Sequence, residues 1–237
     1  MPPEISFIVP AHNEAFEISR TLTSIFNSAN AVGRPFEVVV VNDASTDDTA
    51  DIARRFGAQV LSVDKRQISA VRNVGGRQAK GSLLFFVDAD TQISETLLRA
   101  ALAALDRGAV GGGAWVAFSE PMGWAVNFTM RVFNFLYMGV MGWAAGCFLY
   151  ARRDAFYAVG GFDETLYAGE EILLSRALKR RGKFMVLREN ARTSNRKLRM
   201  YSPLRIIPFA LSFAVKGPAM LRQREGLEWW YEGKREK

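Results

Sequence analysis

The sequence predicts an α/β protein in which a mostly parallel β-sheet carries helices on both faces. Short apolar runs, rich in β-branched and aromatic residues, alternate with amphipathic stretches through the first hundred residues, as expected for strands covered on both sides. Because such strands are joined by right-handed crossovers, we expect the ligand site outside their carboxyl ends. The predicted strands are Ile5 to Val9, Phe36 to Val41, Gln59 to Val63 and Leu83 to Val87.

Helices are predicted between and after these strands. Ser45 followed by Asp48 is typical of a helix N-terminus after the second strand, and another helix is expected to begin at Ser94 and to stop at Gly108. The first helix is indicated by apolar residues at three- and four-residue steps, which share one face: Ile18, Leu22, Ile25, Phe26 and Ala29.

The alternation ends after Gly108. Residues 132–151 carry no charge and are long enough to span a bilayer, but small residues and Asn134 interrupt them. We therefore predict an apolar helix or loop at 122–140 and a buried strand at 146–150. A spanning helix is the alternative interpretation.

The charge of the chain is distributed unevenly. Residues 1–175 hold 14 Lys and Arg against 19 Asp and Glu, whereas residues 176–237 hold 17 against 5. This basic region fits a polyanionic partner, either nucleic acid or the anionic cytoplasmic face of a membrane, although a solvated tail has the same composition. The apolar stretch 203–221 is broken by Pro208, Lys216 and Pro218, which favours an interfacial element over a span.

The length of the chain and its cysteine content limit the class of protein further. A chain of 237 residues with 49% hydrophobic residues can bury one sizeable core, so we expect one domain. The single cysteine, Cys147, excludes an internal disulfide framework and is expected to be a small core residue. No charged and apolar leader opens the sequence, which favours a cytoplasmic location.

Acidic and amide residues follow three of the predicted strands. Asn13-Glu14, Asn42-Asp43 and Asp88-Ala89-Asp90 should converge at one edge of the sheet. Asp88 and Asp90 would repel each other without a cation, and oxygen ligands suit Mg²⁺ or Mn²⁺ held partly by substrate phosphates. An acidic turn before the next helix is the simpler alternative.

Five short motifs follow one another along the chain: Val9-Pro10-Ala11-His12-Asn13-Glu14, Val41-Asn42-Asp43-Ala44-Ser45-Thr46-Asp47-Asp48-Thr49, Ala70-Val71-Arg72-Asn73, Asp88-Ala89-Asp90-Thr91 and Gly160-Gly161-Phe162-Asp163-Glu164. In this order they resemble glycosyltransferase family 2, and together they are specific although each is weak alone. The resemblance covers about residues 5–185 and implies the GT-A fold, a Rossmann-like nucleotide-binding sheet with a smaller acceptor-side region. It also implies inverting transfer from a UDP- or GDP-linked sugar with a divalent cation, Mn²⁺ or Mg²⁺.

On this resemblance we expect one catalytic domain at 1–200, with a donor half at about 1–110 and an acceptor half at about 111–200. Residues 201–237 would form a basic amphipathic extension. The resemblance assigns the nucleoside to the first turn and to Asp43, and assigns metal ligation to Asp90 with Asp88. The full set of implied donor-binding residues is Pro10, Ala11, Asn13, Glu14, Asp43, Arg72, Asp88, Ala89, Asp90, Arg196 and Arg199.

The catalytic base is expected in Gly169-Glu170-Glu171, where the family commonly carries Glu-Asp. Glu171 aligns with the base that takes the acceptor proton, but the second residue here is one methylene longer and Glu170 stays open as an alternative. A further alternative is that both glutamates are only favourable negative charges at a helix N-terminus. His12 is expected to shape the base pocket. The family's Gln-x-x-Arg-Trp motif is missing from the sequence, which argues against a processive polymer synthase.

Other classes fit less well. A Rossmann dehydrogenase needs Gly-x-Gly-x-x-Gly after the first strand, and this chain has Pro10-Ala-His-Asn-Glu-Ala15. An aspartyl phosphatase would carry its motif on the first strand and its threonine one residue after Thr91. A non-catalytic membrane- or nucleic-acid-binding module would leave the acidic residues without a role.

The apolar segments and the basic region together predict a peripheral enzyme on the cytoplasmic leaflet with a lipid or glycan acceptor, and no nucleic acid is expected. Packing of the apolar segments into the core or a dimer interface is the alternative.

Overall fold

A computed structural model describes residues 2–196 and Arg222. Arg199, the stretch 203–221 and the rest of the predicted extension, except Arg222, lie outside the described residues. Within them the strands are β1 Ile5–Ala11, β2 Phe36–Asp43, β3 Gln59–Val63, β4 Leu83–Val87, β5 Thr91–Gln92, β6 Gly111–Phe118, β7 Phe148–Arg152 and β8 Phe184–Thr193.

The helices alternate with these strands through the first half of the chain. A π-helix at Asn134–Val140 continues directly from α5. The α-helices are α1 Ile18–Val32, α2 Thr49–Arg55, α3 Ile68–Gln78, α4 Glu95–Asp106, α5 Trp124–Phe133, α6 Arg153–Ala158 and α7 Glu170–Lys179.

The described strands form one sheet in the order β3-β2-β1-β4-β7-β6-β8-β5. The first four are parallel, with Ile5 opposite both Phe36 and Leu83. β7 pairs antiparallel with β4 and β6, and β8 then runs parallel to β6. The predicted α/β fold is confirmed, and the mixed half of the sheet begins where the predicted alternation ended.

Apolar residues alternate between the two faces of the sheet, as the period of a strand requires. Phe7 and Phe85 belong to the core beneath α1 and α4, and their rings are 5.4 Å apart. Ile8 and Phe86 belong to the second core, which packs against α3, α6 and α7. At Gly75 a Cβ would lie 2.3 Å from Cγ2 of Ile8, so glycine lets α3 lie close to the sheet.

The region after β6 is held differently. The predicted helix or loop at 122–140 is helical, and the predicted strand at 146–150 lies two residues later, at Phe148–Arg152. α5 buries none of its residues, whereas Asn134 of the π-helix is 5% exposed. The Asn134 side chain accepts a hydrogen bond from the Val116 N–H at 3.1 Å and donates to the Val116 carbonyl at 2.8 Å. In the described part of the chain, no helix combines the length and apolar character needed to cross a membrane.

Candidate active site

The turns that follow β1 and β2 are bound to each other by side chains. The Asn13 N–H donates to Ser45 Oγ at 2.9 Å, and Asn13 Oδ1 accepts from the Thr46 N–H at 2.7 Å. The Glu14 N–H donates to Thr49 Oγ1 at 2.8 Å. Asn13 has a φ of 53°, a left-handed conformation that asparagine tolerates better than most residues. Two of the predicted motifs therefore form one cross-linked unit at the carboxyl ends of the strands.

Asp43 ends β2 and braces the turn that follows β3. Its two carboxylate oxygens accept from the Lys65 N–H at 2.7 Å and the Arg66 N–H at 2.9 Å. His12 Nδ1 contacts the Asp43 carbonyl, and His12 Nε2 lies 3.2 Å from Arg66 Nη1. Since the guanidinium can only donate, these contacts fit a neutral His12 with its proton on Nδ1. His12 is thus fixed between these two turns, and its role in shaping a base pocket stays a prediction.

Arg72 connects β4 to α7. Its side chain is 2% exposed, so it is not the surface arginine that helix position alone would suggest. It donates to Asp88 at 2.7 Å, to Glu170 at 2.5 Å and to the Gly146 carbonyl at 2.8 Å. Burial alone would lower the pKa of Arg72, but the charges of Asp88 and Glu170 raise it above its ordinary value. The guanidinium is thus a fixed positive charge between two carboxylates.

The Gly160-Gly161-Phe162 motif packs onto the same helix. Asn73 donates to the Phe162 carbonyl and accepts from the Phe162 N–H, both at 2.9 Å. The Arg72 guanidinium lies 5.4 Å from the centre of the Phe162 ring. Gly161 has a φ of 76°, and a Cβ there would lie 2.6 Å from Asn73 Oδ1. Glycine is required at position 161, and the motif fixes the part of α3 that carries Arg72.

The two adjacent glutamates at the start of α7 have different environments. Glu170 is 4% exposed and bound to Arg72. Glu171 is partly exposed and accepts a hydrogen bond from the Tyr137 hydroxyl at 3.0 Å. Burial raises the pKa of Glu171 to about 7, and the neighbouring charge of Glu170 adds to the rise.

Asp88 and Asp90 flank a buried alanine after β4. Asp88 is 31% exposed and paired with Arg72, which offsets the mutual repulsion expected from the sequence. Asp90 Oδ1 lies 3.4 Å from the hydroxyls of Thr91 and Thr193. The predicted donor residue Ala89 has a buried side chain, and its carbonyl accepts from Thr21 Oγ1 at 2.8 Å.

These two carboxylates are the candidate metal ligands. Among residues 2–196 and 222, no group of three or more His, Cys, Asp or Glu residues could hold a metal ion. Mg²⁺ and similar ions are commonly bound by one or two carboxylates with phosphate and water completing the shell. Asp88 and Asp90 fit a cation that is held partly by the substrate, and they do not fit a closed protein cage.

Arg196 and Glu14 are bound to each other. Arg196 is 2% exposed, and its Nη2 lies 2.9 Å and 2.8 Å from the two carboxylate oxygens of Glu14. Burial alone would lower the pKa of Arg196, but Glu14, Asp90 and Glu17 raise it above its ordinary value. The predicted residues Pro10 and Ala11 are buried at the end of β1, in the same motif as Glu14.

Sequence reasoning missed Tyr137 and the Gly146 carbonyl. Tyr137 lies in an uncharged stretch whose aromatic residues give no periodic signal, and a backbone carbonyl leaves no trace in a sequence. Asn134 did give a signal, since a lone amide in an apolar run must find partners when it is buried.

The solved structures that match have the GT-A glycosyltransferase fold. The chain belongs to glycosyl transferase family 2, since the model of that family matches residues 6–159. The fold and family expected from the five motifs are confirmed, and the phosphatase and dehydrogenase interpretations are set aside.

Three relatives illustrate the range of the family. Glycosyltransferase AglE of Haloferax volcanii is 29% identical over 183 residues, which are 72% of this chain and 59% of AglE. The poly(ribitol-phosphate) β-N-acetylglucosaminyltransferase TarS of Staphylococcus aureus is 34% identical over 44% of this chain and 19% of TarS. An undecaprenyl-phosphate 4-deoxy-4-formamido-L-arabinose transferase of Edwardsiella ictaluri is 30% identical over 44% of this chain and 34% of that enzyme. These matches span about three fifths or less of each relative.

Two solved structures share the fold. Residues 1–349 of S. aureus TarS superpose with a TM-score of 0.66 at 22% identity, covering 88% of this chain and 65% of that one. The mannosyltransferase PcManGT of Pyrobaculum calidifontis, in complex with GDP-Man and Mn²⁺, has a TM-score of 0.66 at 21% identity, covering 82% and 57%.

Proposed function

We propose that this chain is an inverting glycosyltransferase that moves a sugar from a UDP- or GDP-linked donor to a hydroxyl acceptor. The observation that carries the proposal is the contrast between two adjacent glutamates. Arg72 holds Glu170 in a buried ion pair, whereas Glu171 is only partly buried and is bound by the Tyr137 hydroxyl, and burial raises its pKa to about 7. A general base is most effective when its pKa lies near the working pH, so Glu171 is the better candidate.

In the proposed reaction the acceptor oxygen attacks the anomeric carbon from the face opposite the diphosphate. The new carbon–oxygen bond forms as the bond to the diphosphate oxygen breaks, which inverts the configuration at that carbon. Glu171 takes the proton of the acceptor hydroxyl, and the nucleoside diphosphate leaves with the electron pair of the broken bond. The contribution of the folded site is to hold the reacting groups in line.

The nucleoside is assigned to the cross-linked turns after β1 and β2. Asp43 uses one acceptor position on each carboxylate oxygen for the Lys65 and Arg66 amides. A carboxylate has about four such positions, so Asp43 can also accept from the base. The related fold of PcManGT holds GDP-Man with Mn²⁺, and a TarS structure is a complex with UDP-GlcNAc, which supports both donor classes as candidates.

The diphosphate is assigned to the edge that Asp88, Asp90 and Arg196 share. Asp90 with Asp88 would hold Mn²⁺ or Mg²⁺, and such a cation neutralises charge on a leaving diphosphate. The Asp90 carbonyl accepts from the Ser194 N–H at 3.0 Å, and Ser194 Oγ accepts from the Arg196 N–H at 3.2 Å, which supports the proximity of Asp90 and Arg196. Arg199 is assigned to the same group on the resemblance alone.

The acceptor is proposed to be a lipid or lipid-linked hydroxyl at an anionic membrane surface. The apolar face of α5 and the π-helix supports this, since its large side chains are exposed although they are apolar. The face consists of Trp124 at 84%, Phe128 at 63%, Phe135 at 60%, Leu136 at 53%, Val140 at 63% and Met141 at 52% exposure. It adjoins Tyr137, which contacts the proposed base. An undecaprenyl-phosphate transferase among the relatives is consistent with this class.

Electrostatics supports the same location. Residues 176–237 carry 17 Lys and Arg against 5 Asp and Glu. Each basic residue near an anionic surface adds about 1 kcal/mol, and stable attachment needs such charge together with an apolar element. We therefore propose a peripheral enzyme on the cytoplasmic leaflet.

The donor assignment is tested by release of nucleotide from a panel of UDP- and GDP-sugars, with and without Mn²⁺. We expect metal-dependent turnover of at least one donor, because water can replace the acceptor hydroxyl. Absence of both turnover and binding across the panel contradicts the proposal and favours a non-catalytic module.

The membrane assignment is tested by flotation with anionic and neutral vesicles at two salt concentrations. We expect salt-sensitive binding to anionic vesicles that Trp124→Ser with Phe128→Ser weakens. Phe56→Ser is the matched control, since Phe56 is also exposed, at 36%, but lies at the end of α2. Self-association without vesicle binding assigns the apolar face to a dimer interface and contradicts the membrane proposal.

A further inference from the structure

The segment from the π-helix to β7 is attached along one face of α7. The Tyr137 hydroxyl donates to Glu171 at 3.0 Å, the Ala144 N–H donates to Ser175 Oγ at 3.1 Å, and Lys179 Nζ donates to the Met141 carbonyl at 2.7 Å. The α7 residues in these contacts, 171, 175 and 179, recur every four residues and so share a face of the helix. The segment beside the exposed apolar face is therefore attached to the helix that carries the proposed base.

The Tyr137 ring is held by two aromatic neighbours. Phe133 stacks on it with centroids 4.9 Å apart and an interplanar angle of 18°, and Trp143 meets it edge-on at 5.3 Å and 78°. The Arg176 guanidinium of α7 covers Trp143 at 4.9 Å. Such contacts fix the direction of the ring and hence of its hydroxyl.

Tyr137 lies in the π-helix and contacts α7 from there. The wider turn of such a helix is typical of functional sites, and here Asn134 and Met138 are its buried residues. Asn134 fixes the segment to β6 through both polar groups of Val116. Tyr137 therefore lies in a segment that is fixed to β6 on one side and contacts Glu171 on the other.

We infer that Tyr137 is a positioning residue, one that orients the Glu171 carboxylate and keeps it ionised near neutral pH. The inference rests on the proposed function, in which Glu171 is the base. Burial and the charges of Glu171 and Glu170 raise the pKa of Tyr137 above its ordinary value, so the hydroxyl keeps its proton and donates. A donor to the charged form of a carboxylate favours that form.

Three groups face Glu171 from the packed elements. Glu170 of α7 opposes its ionisation, whereas Arg72 of α3 and Tyr137 of the π-helix favour it. Arg72 is already bound to Glu170 and Asp88. Tyr137 is the group that makes a direct side-chain hydrogen bond to Glu171.

The first test measures the carboxylate itself and needs no substrate. The protein is labelled with ¹³C at glutamate carboxyl carbons, and the Glu171 signal is assigned by its loss in Glu171→Gln. In Tyr137→Phe we expect the Glu171 pKa to rise by about one unit, as for the loss of a hydrogen bond to a charged group. The matched control is Tyr157→Phe, since Tyr157 also donates its hydroxyl, to the Gly76 carbonyl at 2.8 Å. An unchanged titration in Tyr137→Phe, or an equal rise in the control, overturns the inference.

The second test uses nucleotide release from whichever UDP- or GDP-sugar the wild type turns over. Tyr137→Phe should lower kcat by about tenfold without changing the donor KM, and should move the acid limb of the pH profile upward by about one unit. A fall in kcat with no change in the pH profile would indicate a purely structural role and overturn the inference. Should the wild type turn over no donor, the proposed function fails, while the titration still decides whether Tyr137 sets the ionisation of Glu171.

Discussion

The proposed donor side of the sheet, β1 to β4, and the proposed acceptor side, from β6 to β8, bury their helices to very different extents. α1 buries six residues against the sheet and α4, whereas α5 buries none. The turns of the donor side are cross-linked by Asn13, Glu14 and Asp43, and the acceptor segment is fixed mainly by Asn134 and by its contacts with α7. In the proposed function this difference would separate a donor site whose turns are already cross-linked from an apolar surface that would meet the acceptor. Substitutions on the two sides should therefore affect different properties of the protein.

The largest effect is expected from Asp90→Ala. Because Asp90 lies at a strand end outside the core, its loss should remove the metal-dependent part of UDP or GDP binding while the fold survives. Calorimetry with and without Mn²⁺ measures this. The control is Asp51→Ala, an exposed aspartate of α2 that pairs with Arg54 at the surface. Nucleotide binding by Asp90→Ala with unchanged metal dependence would show that the Asp88-Ala89-Asp90 assignment is wrong.

The next largest effect is expected in catalysis, with little change in donor binding. Glu171→Gln should leave donor affinity near that of the wild type and reduce transfer by roughly two to four orders of magnitude, the usual contribution of a positioned base. In the wild type, transfer should decline as the pH falls below about 7, since Glu171 must be ionised to accept the proton. Steady-state kinetics across pH checks both. A larger catalytic loss in Glu170→Gln at equal stability would move the assignment to Glu170.

The fold and the positions of many candidate site residues could be predicted from the sequence, because the first half of the chain follows local rules. The four predicted strands were found, and Glu14, Asp43, Arg72, Asp88 and Glu170 lie at the expected elements. Local sequence patterns do not show which of the charged side chains form ion pairs with each other. Arg72 binds Asp88 and Glu170, and Arg196 binds Glu14, across separations of up to 182 residues.

The acceptor half was less predictable for a physical reason. Residues 132–151 carry no charge and few polar side chains, so no regular spacing of polar residues distinguishes an α-helix from a π-helix there. The position of Tyr137 depends on that difference and on the Asn134 contact with β6. The contact of Tyr137 with Glu171 could therefore not be predicted from the sequence.

A third effect, on stability, separates the two glutamates further. Glu170→Gln weakens the buried ion pair with Arg72, so it should lower the free energy of unfolding by about 3 kcal/mol. Glu95→Gln is the control, because Glu95 pairs with Arg99 on the exposed face of α4 and should cost under about 0.5 kcal/mol. Urea unfolding measures both. Equal stabilities for the two variants would contradict a structural role for the Arg72 pair.

The smallest effect is expected from Asn134→Ala, and it tests the comparison between the two sides directly. Removing the amide leaves the N–H and carbonyl of Val116, which is 6% exposed, without their Asn134 partners. The expected cost is about 2 kcal/mol. Asn127→Ala is the matched control, since the Asn127 amide donates only to the Met122 carbonyl at an exposed site.

Hydrogen exchange shows which part of the protein is destabilised by Asn134→Ala. If the acceptor segment is held to the sheet mainly by Asn134, amides of α5 and the π-helix should exchange faster, while those of β1, β2 and β4 keep the wild-type rates. Because Tyr137 follows Asn134 by less than one turn of the π-helix, the Glu171 pKa should rise in the same variant. Uniformly faster exchange across the donor strands would mean that the two sides unfold as one unit, and the contrast between a fixed donor site and a separately anchored acceptor surface would then be wrong.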